Sequence, residues 1–150
     1  MNICEYRSLY KNEILSIMNS KKICNLATIN SGIVNITPMW FIFTVDDNSN
    51  FTFYFINMND EANLNGLSAN DKVCISFENY ILDFYMGAYQ SVTAHGTPHI
   101  VTDFQEKEHI LSRFRNKYSI DQCQEKTSGF TYLKVYIDDI SGRQYWFKLM

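Results

Sequence analysis

Nowhere in this 150-residue chain is there an uninterrupted apolar run long enough to cross a membrane. The opening residues, MNICEYRSLYKNEILSIM, intersperse acids and polar groups among the apolar ones, so no signal-peptide core is present and a cytoplasmic location is expected. Cations are not in excess either. Thirteen Lys and Arg against sixteen Asp and Glu give a net charge of −3, which excludes a surface built to neutralise many phosphates, so nucleic acid is set aside as a partner. Cys4, Cys24, Cys74 and Cys123 lie far apart with no CxxC pair, which argues against zinc and thiol exchange and predicts free thiols. No repeat or linker interrupts the chain, and residues 1–150 are expected to form one domain.

Aromatic and apolar residues are abundant. Hydrophobic residues make up 46% and aromatics 15%, a balance that favours strands, because flat and branched side chains pack well on a pleated surface. Leu9, Tyr10, Ile14, Ile17 and Met18 recur at helical spacing and predict an amphipathic helix over 8–20. Strands follow at 23–29, 33–37, 39–45 and 51–56, joined by the turn signals Asn30-Ser31-Gly32 and Asp46 to Asn50. Pro38 should sit at a strand edge or break.

Asn59 or Asp60 can cap a short helix carrying Ala62, Leu64 and Leu67, and a strand resumes at 72–78. Residues 90–102 read as strand interrupted by Gly96 and Pro98, as a bulge or a turn. Asp103 with Glu106 resembles a capping box for a helix ending near Tyr118, whose basic residues Lys107, Arg113, Arg115 and Lys117 read as a solvated face. The last strand is predicted at 132–137, followed by a turn at Ser141-Gly142 and the tail Tyr145-Trp146-Phe147. Successive strands with tight turns imply antiparallel pairing, and closure into a barrel removes exposed edges. The expected fold is mainly β: a six-stranded antiparallel barrel with flanking helices.

No catalytic or metal group stands out. His95 and His99 would share a face but lie about 13 Å apart at strand rise, too far for one metal unless Gly96 and Pro98 fold the backbone back. No Ser-His-Asp or Cys-His arrangement can be argued.

Several segments in order resemble the pyridoxamine phosphate oxidase-like, FMN-binding split barrels, and within them the Nim-type, nitroimidazole-resistance branch. They are Cys24-Asn25-Leu26-Ala27-Thr28, Pro38 followed by aromatics, Tyr54-Phe55 before a loop, Asn70-Asp71-Lys72-Val73, Tyr89-Gln90-Ser91-Val92 with Gly96 beyond, and the closing run from Ile137 to Arg143. The resemblance implies a homodimer with FMN in the cleft between two split barrels. It places Pro38, Met39 and Trp40 along the flavin ring, Asn57, Met58 and Asn59 near the ribityl chain or phosphate, and Ser91 and Val92 beside the cofactor.

Two positions depart from that pattern. Asn63 stands where many relatives carry a Lys or Arg against the phosphate, for which Lys72 or one of the helix arginines, Arg113 or Arg115, could substitute. Ile56 stands where Nim-type members carry a His. The function implied is an FMN-dependent oxidoreductase passing electrons from a donor such as reduced nicotinamide to a small acceptor, a nitro compound being the Nim-type one, with the flavin supplying the redox chemistry. The alternative is a flavin-binding or cofactor-free barrel serving storage, sensing or protein interaction.

Overall fold

In the segment Ile23–Asn30 (β2) Cys24, Leu26 and Thr28 are buried while their neighbours face out, the alternation of a half-buried strand. The same period runs through Phe51, Phe53 and Phe55 of Phe51–Asn57 (β5) and through Val73, Ile75 and Phe77 of Val73–Leu82 (β6). These inward rows, with Met39, Phe41, Val92, Ala94, Leu133 and Val135, form the barrel core. The structure is a computed structural model, and it describes residues 3–58, 64, 67, 71–82, 85–119 and 129–148, with the backbone alone at 3 and 4. The short helix expected after Asp60 lies outside the described residues, but Leu64 and Leu67 pack on the core.

The remaining elements are β1 (Ile3–Ser8), α1 (Lys11–Ser20), β3 (Ile33–Trp40), β4 (Ile42–Val45), β7 (Met86–Ile100), α2 (Phe104–Tyr118) and β8 (Thr131–Lys148). All pairings are antiparallel, in the order β3-β2-β6-β7-β8-β5-β4, with β1 added on β8. β3 runs on into β4 with only Phe41 between them, so the eight strands make six barrel staves plus β1. The expected class, a mainly β antiparallel split barrel with flanking helices, is the one observed. Among the described residues, no helix is long and apolar enough to cross a membrane.

The turns follow their chemistry. Ser31 and Gly32 both take positive φ, as a two-residue hairpin turn between Asn30 and its partner Ile33 requires. The Asp46 carboxylate accepts the Asn48 and Asn50 amides and closes the next hairpin. The interruption at Gly96 is a bulge, seen as a register shift between His95 and Gly96, and β7 continues past it. β6 begins at Val73 opposite Gly96, so Pro98 lies beyond it where β7 pairs only with β8, and its missing N–H costs β6 no bond. Asp103 caps α2 by accepting the Glu106 amide at 2.8 Å, and α2 ends at Tyr118 as predicted.

Two expectations are corrected. The helix predicted from residue 8 begins at Lys11, because Ile3–Ser8 is a strand paired with Phe147 through Arg143. Ser141-Gly142 is not a turn: β8 runs unbroken to Lys148, since β7 pairs with it from Leu133 onward. A Cβ at Gly142 would stand 2.7 Å from a Leu9 methyl, so the glycine serves the close approach of the segment entering α1.

A chain of side-chain hydrogen bonds ties β1 and α1 to the sheet. Asn79 donates to Gln90, Gln90 donates to Gln144, and Arg7 reaches Gln144 while holding Glu13 through two bonds of 2.7 Å. Glu13 also accepts the Tyr10 amide at the start of α1. Its hydrogen bonds with Arg7, reinforced by that amide, lower its pKa to about 2 from an ordinary 4.5. A depressed carboxylate stabilises the fold above its unfolded pKa and loses that contribution as pH falls through the folded value. Thermal melts of Glu13→Gln and wild type should therefore differ most above pH 4.5 and converge as pH approaches 2. A constant gap across that window would show that the carboxylate charge is not what matters.

Candidate functional site

Along β3, Met39 points into the core whereas Val34, Ile36, Pro38 and Trp40 form an apolar strip facing outward, with Ile36 69% and Trp40 41% exposed. Trp40 ends the strip stacked on Tyr118 of α2, with ring centroids 4.7 Å apart and planes within 6°. Helix α2 reaches this point because Ile110, Leu111 and Phe114 pack with Ile42, Ile56, Val101 and Tyr132 in a second apolar cluster on the outside of the barrel.

The short break between β3 and β4 leaves the polar groups of Phe41 outside the strand ladder, and α2 satisfies them. The Tyr118 hydroxyl accepts the Phe41 amide at 2.9 Å and shares its own proton between the carbonyls of Phe41 at 2.5 Å and Lys22 at 2.8 Å. Burial, partly offset by the Phe41 backbone bond, pushes this phenol up to about 12. Lys117 donates to the Phe41 carbonyl at 2.9 Å and stands 3.7 Å from the Phe41 ring centroid. Arg113, one turn earlier, donates to the Phe43 carbonyl at 3.2 Å.

A cavity of about 210 Å3 opens between these elements, lined by Asn19, Ile42, Phe43, Arg113 and Lys117. Among the described residues neither cation has a carboxylate partner, the Lys and Arg ion pairs being Arg7–Glu13, Lys72–Asp138 and Lys134–Glu106. Burial, with Arg113 adding a smaller push, lowers the Lys117 ammonium to about 8 against an opposing effect of Cys24. The Cys24 thiol is itself pushed far up by burial and is inert as a nucleophile.

The residues expected to meet a cofactor fall into separate groups. Pro38 and Trp40 lie on the outward strip and Met39 behind it. Asn57, at the end of β5, is buried, and Met58 packs on the cluster beneath α2. Ile56 belongs to that same cluster and is sealed at 6% exposure. Asn59 and Asn63 lie outside the described residues. Ser91 faces outward on β7 between Glu78 and Arg143, whereas the Val92 side chain is wholly buried in the core. Two strands, β2 and β6, separate β7 from β3, so Ser91 lies about 14 Å around the barrel wall from the Pro38 strip and faces out from a different side. Lys72 is engaged with Asp138 at 2.9 Å and Thr97 at 2.6 Å, away from the strip.

A family model described as pyridoxamine 5'-phosphate oxidase matches residues 10–144. The chain belongs to this family. None of the curated proteins matches the chain. Among solved structures, a candidate 5-nitroimidazole antibiotic resistance protein from Bacteroides thetaiotaomicron is similar at 21% identity and TM-score 0.77, covering 98% of this chain and 93% of that one. A FAD-binding protein from Mesorhizobium loti is similar at 16% identity and TM-score 0.68, covering 94% and 97%. Another FAD-binding protein, from Mycobacterium smegmatis, is similar at 19% identity and TM-score 0.64, covering 94% and 99%. At these identities the likeness is one of fold.

For this pyridoxamine 5'-phosphate oxidase family member, sequence reasoning missed the part that α2 plays. Arg113 and Lys117 were expected on a solvated face, yet both are half-buried against β4 and the end of α1. Their four-residue spacing beside Tyr118 was the available signal, since residues i and i+4 share one helix face.

Proposed function

We propose that the protein is an FMN-binding oxidoreductase that works as a homodimer in the cytoplasm, with the flavin ring against the Pro38–Trp40 strip. The observation that carries this reading is the apolar outward face of β3 ending in the Trp40–Tyr118 stack, on a chain of this family. An isoalloxazine needs a flat apolar surface with backbone groups at its rim, and Ile36, Pro38 and Trp40 fit that need. The similar folds that are FAD-binding proteins support a flavin; FMN itself rests on the sequence resemblance, which puts Asn57, Met58 and Asn59 near the ribityl chain or phosphate and leaves Asn63 as a departure.

Dimerisation gives the separated groups a meaning. Ser91 is too far from Pro38 within one barrel to meet the same ring, so a second copy would have to supply it. Ile33, Val34 and Ile36 are each more than 60% exposed on β3, an apolar patch of the kind that marks an interface. The flavin would supply the electron transfer; the chain's own residues bind it and shape the acceptor's access.

The experiment is direct. The purified protein should show visible flavin absorbance or gain it on adding FMN, and a colourless protein that takes up none sinks the proposal. Extraction and identification of the flavin separates FMN from FAD, and sedimentation of the loaded protein reports the dimer. The sealed apolar environment of Ile56, at the place of the Nim-type His, favours a second reading in which flavin is bound without turnover. Bleaching by reduced nicotinamide under anaerobic conditions supports the oxidoreductase; flavin that stays oxidised with every donor supports the second reading.

A further inference from the structure

The cavity between α1, α2 and β4 is distinct from the β3 strip and carries its own chemistry. Its two cations come from one helix face, one turn apart, with their Cβ atoms about 6 Å from each other. Each is oriented by a backbone carbonyl that fixes its position without cancelling its charge, Phe43 for Arg113 and Phe41 for Lys117. A guanidinium with further donors free to form a fork suits a carboxylate.

The lysine is placed differently. Half-buried over the Phe41 ring and next to a second cation, it meets the two conditions, desolvation and a neighbouring positive charge, that activate an amine toward carbonyl compounds. The other titratable groups around it are Cys24 from β2, kept as a thiol by burial, and Tyr118 from α2, kept as a phenol. As a free amine, Lys117 keeps one N–H for the Phe41 carbonyl and a lone pair for reaction.

We propose that Lys117 is a covalent capture site that forms a reversible imine with short anionic carbonyl compounds, whose carboxylate rests on Arg113. The lone pair of Nζ adds to the carbonyl carbon, the two protons of the free amine pass to the carbonyl oxygen, which leaves as water, and a C=N bond replaces the C=O bond. No electrons are gained or lost, and no co-reactant is needed. The one-turn spacing of Arg113 and Lys117 on a cavity of about 210 Å3 suits short molecules that carry both groups. Nothing in this step depends on the flavin reading, and its test uses no flavin.

Glyoxylate with borohydride trapping is the probe, read by peptide mass as a carboxymethyl group on each lysine of the full chain. At pH 7 Lys117 should be labelled about tenfold faster than the exposed Lys11, because a larger fraction of it is free amine. At pH 9, above the value to which Lys117 is lowered, Arg113→Gln should slow glyoxylate labelling of Lys117 several-fold more than labelling by neutral propionaldehyde, which serves as the control for any change in the amine itself. Lys117→Arg keeps the charge and the bond to Phe41 and should lose the fast phase of whole-protein labelling. The proposal is overturned if Lys117 reacts no faster than Lys11, if Arg113→Gln slows glyoxylate no more than propionaldehyde, or if the fast phase survives in Lys117→Arg.

Discussion

Phe53→Ala should destabilise the protein by about 3–5 kcal/mol and lower its thermal midpoint by roughly 10–15 °C. Phe53 has no exposed surface, and its ring lies within 6.4 Å of those of Phe41, Phe43, Phe55 and Phe77. The alanine leaves a cavity at the centre of the barrel. Rigid paired strands on both sides, through Phe43 and Val135, prevent it from collapsing. A domain of this size has about 5–15 kcal/mol in total, so the variant should sit near the limit of folding. Phe104, 73% exposed at the start of α2, is the matched control, and its alanine variant should stay within about 0.5 kcal/mol. Urea and thermal melts of both variants measure the contrast; equal effects would mean that the aromatic cluster is not the core.

Gly96→Ala should cost about 2–3 kcal/mol in spite of adding only a methyl group. At the bulge a Cβ would stand 2.6 Å from the Tyr136 carbonyl oxygen and 2.5 Å from a Val135 methyl. The methyl can turn aside, but the carbonyl cannot move without breaking the β7–β8 ladder. Gly32→Ala separates this crowding from backbone strain, because Gly32 has positive φ and nothing within 4 Å of the added carbon. Its cost should be about 1 kcal/mol. Chemical denaturation read as ΔΔG decides the matter, and a Gly96 variant no worse than the Gly32 variant would contradict the packing seen here.

Local chemistry made much of this fold legible in advance. Alternation exposed β2, β5 and β6, and the turn residues at Ser31-Gly32 and Asp46 to Asn50 marked where strands reverse. Asp103 announced α2 because one carboxylate satisfies one unpaired amide. What escaped was set by distant partners. Residues 3–8 are a strand only because β8 offers them an edge, and 138–148 remain a strand because β7 extends along one side and β1 joins the other. The glycine at 142 looks like a turn signal until Leu9 is seen against it.

The candidate site divides in the same way. Pro38 to Trp40 could be picked out because a proline before aromatics is visible in one dimension. The engagement of Arg113, Lys117 and Tyr118 with Phe41 and Phe43 spans some seventy residues of sequence, and nothing near either end reports it. Asn19 joins them only through the packing of α1.

The position of β8 bears on how the chain acquires its structure. One flank of β8 is taken by β7 and the other by β5 and then β1, so a segment near the end of the chain receives three others, the first of them from its beginning. Loop closure on that scale must precede the contacts that reward it, which slows two-state folding into the millisecond-to-second range. During synthesis β1, β5 and β7 emerge with an edge unpaired, and they wait in that state until residues 131–148 arrive.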